Sequence, residues 1–313
     1  MISSKQLKLP LIAAPMFLVS GPEIVTACCK AGIIGSFPAL NQRTAEGFDE
    51  WLTLIENELK GVPNPGFAVN LIVHKTNPRL HEDLDTCIKH KVPLIITSLG
   101  AVPEIVDAVH AYGGLVYHDV INLRHANKAA QAGVDGLIAV SAGAGGHAGL
   151  LSPFALISEI RKFYDKTIIL SGAMSTGRDI AAAQAAGADY AYMGTRFINT
   201  KESRAIDDYK NMIIDAAAAD IVYTDKVSGV NANFLGPSIA AAGGNDESHA
   251  GKEVDFGNEL LADEAKAWKD VWSAGHGVGG IDDIPNVSDL VSRLRAEYTA
   301  AIDTLAKLSL IHI

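Results

Sequence analysis

A histidine in a glycine-rich segment is the first feature of this sequence that could perform acid–base chemistry. Residues 141–149 read Ser-Ala-Gly-Ala-Gly-Gly-His-Ala-Gly, so small residues flank His147 on both sides. Small residues let the backbone approach a flat ligand closely, and imidazole is well suited to accept a proton near neutral pH. The segment follows Gly136–Val140, an apolar run typical of a buried strand. The pattern predicts an active-site loop in which His147 is the catalytic base.

Two further segments place glycine and hydroxyl residues directly after apolar runs. One reads Ser-Gly-Ala-Met-Ser-Thr-Gly-Arg over residues 171–178, and the other reads Met-Gly-Thr-Arg over residues 193–196. Backbone N–H groups at such turns, together with the dipole of a following helix, bind phosphate without a cationic side chain. Ordinary helix capping is the alternative interpretation of either segment alone. The candidate cofactor-binding residues here are Gly172, Ala173, Met193, Gly194 and Thr195.

Three other apolar runs end in residues that could contact a cofactor ring. Ala14, Pro15 and Met16 would form a small apolar platform for an aromatic ring. Asn70 could hydrogen-bond a ring edge, and His118 is a polar group after the fifth run. Each signal is weak alone, because methionine at a strand end more often belongs to the core and an isolated asparagine more often belongs to a turn.

These candidates require a scaffold that brings strand ends together. Eight short apolar runs without alternation are bounded by glycine or proline, which is typical of parallel strands covered on both faces. Helical stretches separate them, and eight such units in about 200 residues favour a (β/α)8 barrel over a doubly wound sheet. The predicted strands are Leu11–Ala14, Ile33–Phe37, Phe67–Leu71, Leu94–Thr97, Leu115–Tyr117, Gly136–Val140, Thr167–Leu170 and Tyr190–Met193. In such a barrel the sites lie at the carboxyl ends of the strands.

The pattern changes after the eighth predicted strand. We expect an α/β barrel core over residues 1–200, an insertion or lid over the barrel mouth at 201–280, and a C-terminal helix at 281–313 that packs back on the barrel. The polar stretch Asn245–Asp255 is expected to be exposed and mobile.

Composition excludes several other classes of protein. The net charge of −10 argues against nucleic-acid binding, and the three cysteines have no metal or disulfide spacing. There is no HExxH, Walker A, nucleophile elbow or GxGxxG fingerprint after a strand. No signal peptide or apolar run of membrane-spanning length is present. We therefore expect a cytoplasmic protein with no metal, nucleic-acid or membrane partner, and leave open a homodimer.

The strand-end motifs also occur together in a known family. They are Ala-Pro-Met at 14–16, Phe-Ala-Val-Asn at 67–70, Gly-Gly-His-Ala-Gly at 145–149, Ser-Gly-Ala at 171–173, Met-Gly-Thr-Arg-Phe at 193–197 and Trp-Ser-Ala-Gly at 272–275. With this set, over nearly its whole length, the sequence resembles the nitronate monooxygenases, formerly called 2-nitropropane dioxygenases.

The resemblance implies a TIM barrel that holds FMN non-covalently. The FMN phosphate would lie on the backbone of residues 172–173 and 194–195, and the ring beside residues 14–16, with Asn70 and Gly145 as further contacts. His147 would remove the α-proton of a neutral nitroalkane, a step that a nitronate does not need. The products would be a carbonyl compound and nitrite, with O2 as co-substrate.

The sequence departs from the family pattern at several of these positions. Val140 replaces a common Gln or Asp, Gly143 replaces Glu, and Asp119 stands where some members have Lys; His276 and Gly277 lie where members vary. The same fold also serves flavin-type enoyl-acyl-carrier-protein reductases and NADH:quinone reductases. An NAD(P)H-dependent flavin reductase, or a barrel that binds FMN without turnover, therefore stays open as an alternative.

Overall fold

Eight parallel strands form the centre of the molecule. The computed structural model describes residues 2, 4–227, 229–243 and 271–311. The strands are β1 (Leu11–Ala13), β2 (Gly35–Pro38), β3 (Phe67–Ile72), β4 (Leu94–Ser98), β5 (Leu115–Val120), β6 (Gly136–Val140), β8 (Thr167–Ser171) and β9 (Tyr190–Met193). Their order in the sheet is β1-β9-β8-β6-β5-β4-β3-β2. All eight predicted strands are present, with ends that differ from the prediction by at most three residues.

The sheet closes on itself through its two terminal strands. Ile12 forms a parallel bridge with Ile34, just before β2, and the Ala13 N–H donates to the Ile34 carbonyl over 2.9 Å. Side chains from all around the ring, including Ile96, Ile138 and Ile169, fill the interior and are fully buried. This is a (β/α)8, or TIM, barrel, as the sequence predicts.

Helices cover the outside of the barrel and bury a second apolar layer against the strands. They are α1 (Pro22–Ala31), α2 (Ala45–Leu59), α3 (Leu80–Lys89), α4 (Pro103–His110), α5 (Leu123–Gln131), α6 (Pro153–Ile160) and α7 (Gly177–Ala185), followed by the short α8 (Thr195–Ile198). The Thr176 hydroxyl and the Asp179 carboxylate form a reciprocal capping box that fixes the start of α7. Because α7 begins directly after β8, this cap also sets the position of the loop between them.

A small antiparallel sheet that the sequence did not predict lies beyond the strand ends. Two residues of the histidine loop form β7 (Gly146–His147), which pairs with β11 (Ala232–Leu235), and β11 pairs with β10 (Ile221–Thr224). The segment between the barrel and this sheet includes α9 (Asp207–Asp215), and α10 (Gly236–Ala241) follows β11. Strand β11 therefore pairs with the loop that carries His147.

The C-terminal helix Val287–Ile311 lies against α7. Glu297 accepts a hydrogen bond from the Gly177 N–H over 2.7 Å, and the Tyr298 hydroxyl donates to Gln184 over 2.5 Å. The stretch Asn245–Asp255, predicted to be exposed and mobile, lies outside the described residues. No helix within the described ranges is long and apolar enough to cross a membrane.

Candidate active site

A cavity of about 710 Å³ opens at the carboxyl ends of the barrel strands. This volume is within the range of cofactor and small-ligand sites. Nine of the predicted site residues line it: Ala14, Pro15, Met16, Asn70, His118, Gly145, His147, Gly194 and Thr195. The strand-end residues that the sequence singles out thus come together around one space.

His147 is held at the cavity by main-chain pairing. His147 is opposite Ala232 and Gly146 is opposite Asn233 in the β7–β11 ladder. The Asn233 amide donates to the Ala144 carbonyl over 2.7 Å, and the Tyr223 hydroxyl donates to the Ala148 carbonyl over 3.2 Å. The backbone on both sides of His147 is therefore fixed by residues far along the chain.

Burial lowers the pKa of His147 to about 4. A buried site disfavours the charged imidazolium, because that form loses its hydration. The imidazole is thus neutral at physiological pH and able to accept a proton. The same burial makes it a weaker base unless a negative charge forms beside it.

A chain of polar groups crosses three strand ends on the cavity floor. The Asn70 amide donates to the Ser98 hydroxyl over 2.8 Å, and this hydroxyl donates to the Asp119 carboxylate over 2.6 Å. Burial raises the pKa of Asp119 to about 6, although the Ser98 hydrogen bond opposes the shift. Asn70, Ser98 and Asp119 all line the cavity, and with a pKa of about 6 Asp119 is mostly ionised at neutral pH.

Two polar atoms beside this chain are buried without a hydrogen-bond partner in the described part of the protein. They are Oδ1 of Asp119 and the hydroxyl oxygen of Tyr192. Tyr192 lies on β9, lines the cavity and has a pKa raised well above its usual value, first by burial and then by the Asp119 charge. Buried polar atoms in proteins nearly always find a partner. The two atoms are therefore suited to a polar ligand in the cavity.

His118, next to Asp119 on β5, is tied to the barrel wall. Its Nδ1 is 2.7 Å from the Thr97 hydroxyl, and only 5% of the residue is exposed. Burial lowers the pKa of His118 to about 4, with smaller contributions from the positive charges of His125 and Lys128. His118 is a neutral hydrogen-bonding group in this position.

The ends of β8 and β9 carry the predicted phosphate site. Gly194 and Thr195 line the cavity, and the Thr195 hydroxyl accepts a hydrogen bond from the Gly275 N–H over 2.9 Å. The Ala173 N–H donates to the Gly143 carbonyl over 3.2 Å. A ligand bound at Ala173 would therefore compete with that carbonyl.

Three predicted cofactor residues do not line the cavity: Gly172, Ala173 and Met193. Met193 is 1% exposed, with its side chain in the outer apolar layer, and its carbonyl accepts from the Ala14 N–H over 2.9 Å. Gly172 has φ +135°, and a Cβ there would lie 2.5 Å from the Ser141 hydroxyl oxygen, so only glycine is tolerated. Their contacts with a cofactor stay predictions.

Trp272 and Ser273 form another part of the cavity wall. Trp272 stacks on Tyr209, with ring centroids 5.1 Å apart and planes inclined by 16°. The Tyr209 hydroxyl donates to the Ser273 carbonyl, and the Trp272 carbonyl accepts from the Leu235 N–H over 2.8 Å. Both rings line the cavity. The sequence analysis included the Trp272 motif but did not identify Tyr209.

The sequence analysis did not identify several of the cavity residues as candidate site residues. Besides Tyr192, Tyr209 and Tyr223, they include Arg124, His125 and Lys128 on α5. The three α5 residues lie on a helix, where the search for residues directly after strands does not find them.

The comparison with known families agrees with this arrangement. The sequence profile described as nitronate monooxygenase matches residues 79–297, which include β4 to β9 and the start of the C-terminal helix. The chain belongs to the nitronate monooxygenase family. The resemblance inferred from the strand-end motifs is thereby confirmed.

Individual relatives span nearly the whole chain. A nitronate monooxygenase of Paraburkholderia phytofirmans is 26% identical, over 95% of this chain and 94% of its own. A Rhodococcus jostii relative named (3aS,4S,5R,7aS)-5-hydroxy-7a-methyl-1-oxo-octahydro-1H-indene-4-carboxyl-CoA dehydrogenase is 23% identical, over 96% and 95%. As a member of this family the chain is an enzyme, an oxidoreductase.

Two solved structures share the fold. A nitroalkane oxidase from Streptomyces ansochromogenes superposes with a TM-score of 0.82 at 24% identity, covering 96% of this chain and 99% of that one. FabK from Thermotoga maritima superposes with a TM-score of 0.81 at 23% identity, covering 96% of each chain.

Proposed function

We propose that this protein oxidises alkyl nitronates, and neutral nitroalkanes after deprotonation, with bound FMN and O2, giving a carbonyl compound and nitrite. The observation that carries the proposal is the position of His147, a neutral imidazole fixed by β7 at a cavity formed by the family's strand-end motifs. The nitronate monooxygenase of P. phytofirmans, aligned over nearly the full length, supports the reaction class.

The residues present suit FMN. Gly194 and Thr195 place backbone groups where β9 ends and α8 begins, a position that favours phosphate. Residues 14–16 offer a small apolar wall. The space beside Gly194 is not crowded, because a Cβ built there would lie 3.7 Å from the Cβ of Ala14, an ordinary contact distance. Asp119 Oδ1 and the Tyr192 hydroxyl offer an acceptor and a donor to the polar edge of a ring. FMN would supply the two-electron redox chemistry that no side chain can perform.

His147 would act on neutral nitroalkanes. Its imidazole is deprotonated at neutral pH because burial lowers its pKa to about 4. When it removes the α-proton, the substrate becomes an anionic nitronate, and this negative charge stabilises the imidazolium at the same moment. A nitronate supplied as such bypasses the step and needs His147 only for positioning.

The first test is spectroscopic. The purified protein should show the visible spectrum of oxidised flavin, and the released cofactor should be FMN by mass. Under anaerobic conditions, propionate 3-nitronate should bleach the flavin, whereas NADH should not. Rapid bleaching by NADH with no response to nitronates would contradict the proposal and favour a flavin reductase.

The second test separates the histidine from the cofactor. His147→Asn should lower kcat/KM for nitroethane by about 10²–10⁴-fold, the usual contribution of general-base catalysis, at unchanged FMN content. Turnover of ethyl nitronate should fall far less. His81→Asn, at an exposed position away from the cavity, is the matched control. Full activity of His147→Asn on nitroethane would exclude the base assignment.

A further inference from the structure

Three basic side chains line the cavity from the first turns of α5. Arg124, His125 and Lys128 all face the same space, although α5 lies outside the barrel wall. Arg124 and Lys128 are four residues apart and so lie on one face of the helix. The Asn122 side chain caps the helix by accepting from the His125 N–H over 2.9 Å, which fixes its first turn. We refer to these three side chains as the α5 basic cluster.

Among the described residues, the α5 basic cluster has no acidic partner. Within the described ranges, neither Arg124 nor Lys128 forms an ion pair or a side-chain hydrogen bond. The chain as a whole has 36 acidic residues against 26 Lys and Arg, so most cations could find a carboxylate partner. Arg161, Arg196 and Arg293 each form an ion pair with an aspartate. Arg124 and Lys128 border the cavity without an ion-pair partner among the described residues, and are therefore available to a ligand.

The positive charges of Arg124 and Lys128 act on His125 and on the cavity. The pKa of His125 is lowered first by burial and then by Arg124 and Lys128. The pKa of His118, deeper in the cavity, is lowered first by burial and then by His125 and Lys128. An anion bound here would relieve this repulsion, because it would offset positive charges that the described structure leaves uncompensated.

The cluster is separate from the phosphate site proposed for FMN. In the closed sheet order, β5 is four strands from β1 and therefore on the opposite side of the barrel. Gly194 and Thr195 follow β9, which neighbours β1. A cofactor phosphate held there by backbone groups would not need the α5 cations. The cluster is consequently available for an anion of the second ligand, the substrate.

We propose that the α5 basic cluster binds a negatively charged terminal group of the substrate, a carboxylate or a phosphate, remote from the carbon that is oxidised. The inference rests on the proposed function for the cavity and adds the class of substrate to it. Guanidinium and ammonium groups are the side chains that recognise such oxyanions. The cluster at the rim and His147 at the cavity wall would hold the two ends of one molecule.

The test compares two nitronates that differ only in their tails. Propionate 3-nitronate carries a terminal carboxylate, whereas propyl 1-nitronate ends in a methyl group. In Arg124→Gln/Lys128→Gln holoenzyme, kcat/KM for propionate 3-nitronate should fall by about five- to tenfold, as expected for two exposed charge contacts. The value for propyl 1-nitronate should change less than twofold. Lys60→Gln/Arg295→Gln removes the same two charges from exposed positions away from the cavity and should affect neither.

Isothermal titration of the same proteins with succinate and with coenzyme A identifies the anion without requiring turnover. Cluster-dependent binding of succinate supports a carboxylate, and cluster-dependent binding of coenzyme A supports a phosphate. The proposal is overturned if no anion loses affinity in the cluster variant, or if the control variant loses as much. If neither nitronate is oxidised, the proposed function fails, but the titrations still decide whether the cluster binds anions.

Discussion

The ring of His276 lies directly beside the space that a side chain at position 143 would occupy. A Cβ built on Gly143 would be 3.1 Å from both Cγ and Nδ1 of His276. The His276 N–H also donates to the Gly143 carbonyl over 2.9 Å. Two positions at which this sequence departs from the family pattern, 143 and 276, are therefore in direct contact. Glycine at 143 leaves the space that the imidazole uses.

We expect Gly143 and His276 to be energetically coupled. Gly143→Ala should lower the free energy of unfolding by about 1–3 kcal/mol, because φ is +81° there and because the new methyl group meets the imidazole. In a His276→Ala background the loss should be smaller by at least about 0.5 kcal/mol, which urea denaturation of all four proteins measures as a double-mutant cycle.

A matched glycine isolates the backbone part of this loss. Gly61 has a similar φ of +73°, and a Cβ there would meet nothing within 4 Å. Gly61→Ala should therefore cost less than Gly143→Ala and be insensitive to His276. Equal losses at the two glycines, with no coupling to His276, would show that the contact carries no energy.

The barrel fold could be predicted from the sequence because the patterns that indicate parallel strands are local. Each buried strand is a short apolar run with glycine or proline at its ends, and each strand end points to the same side of the barrel. The position of His147 follows from this rule alone. The residues that hold His147 do not, because Tyr223 and Asn233 reach it by long-range antiparallel pairing.

Other details depended on contacts that no local pattern encodes. Ala173 was predicted as a backbone donor to phosphate, but the Gly143 carbonyl accepts from its N–H. Arg124 and Lys128 lie on a helix, and no local pattern in the sequence indicates that they line the cavity. Tyr192 lies within the predicted strand Tyr190–Met193, and its hydroxyl beside Asp119 is visible only in three dimensions.

Asn233 should matter more for proton abstraction than for later steps. It is 2% exposed, and its amide is bonded to the Ala144 carbonyl beside the histidine loop. Asn233→Ala should destabilise the fold by about 1–3 kcal/mol, the cost of an unsatisfied buried polar group. The substitution removes the hydrogen bond to the Ala144 carbonyl, so His147 should be held less precisely. We expect kcat for nitroethane to fall about tenfold, because small misplacements of catalytic groups lower rates strongly.

The kinetic comparison for Asn233→Ala uses ethyl nitronate, which needs no proton removal and should be oxidised at a nearly unchanged rate. Asn127→Ala is the control, since Asn127 also donates to a backbone carbonyl, over 2.9 Å, but on the exposed face of α5. Equal losses on nitroethane and ethyl nitronate would mean that Asn233 supports the whole cavity and not His147 in particular.

His118 should make the protein less stable as the pH falls below about 6.5. The pKa of His118 is about 4 in the folded chain. Between pH 6.5 and 4 this histidine therefore binds a proton in the unfolded chain but not in the folded chain. The loss reaches at most about 3 kcal/mol over that window. His118→Asn should flatten this part of the stability curve, measured by urea denaturation at pH 7.5, 6, 5 and 4.5, whereas His81→Asn should leave the slope as in the wild type.

Asp119 should have the opposite pH dependence. Its pKa is raised to about 6 in the folded protein, so the folded chain holds a proton that the unfolded chain releases near pH 4. Ionisation of Asp119 in the folded protein therefore lowers the free energy of unfolding. This loss is absent at pH 4 and complete above pH 6. Asp119→Asn keeps an acceptor for the Ser98 hydroxyl and removes the charge.

We expect the free energy of unfolding of Asp119→Asn minus that of wild type to be about 1–2 kcal/mol larger at pH 8 than at pH 4. Ser98→Ala removes the hydrogen bond that opposes the shift and should steepen the same pH dependence, because the ionised carboxylate then loses its donor. Tyr192→Phe tests whether the neighbouring hydroxyl contributes. If the difference between Asp119→Asn and wild type is the same at both pH values, the carboxyl titrates normally and the cavity floor carries no buried charge.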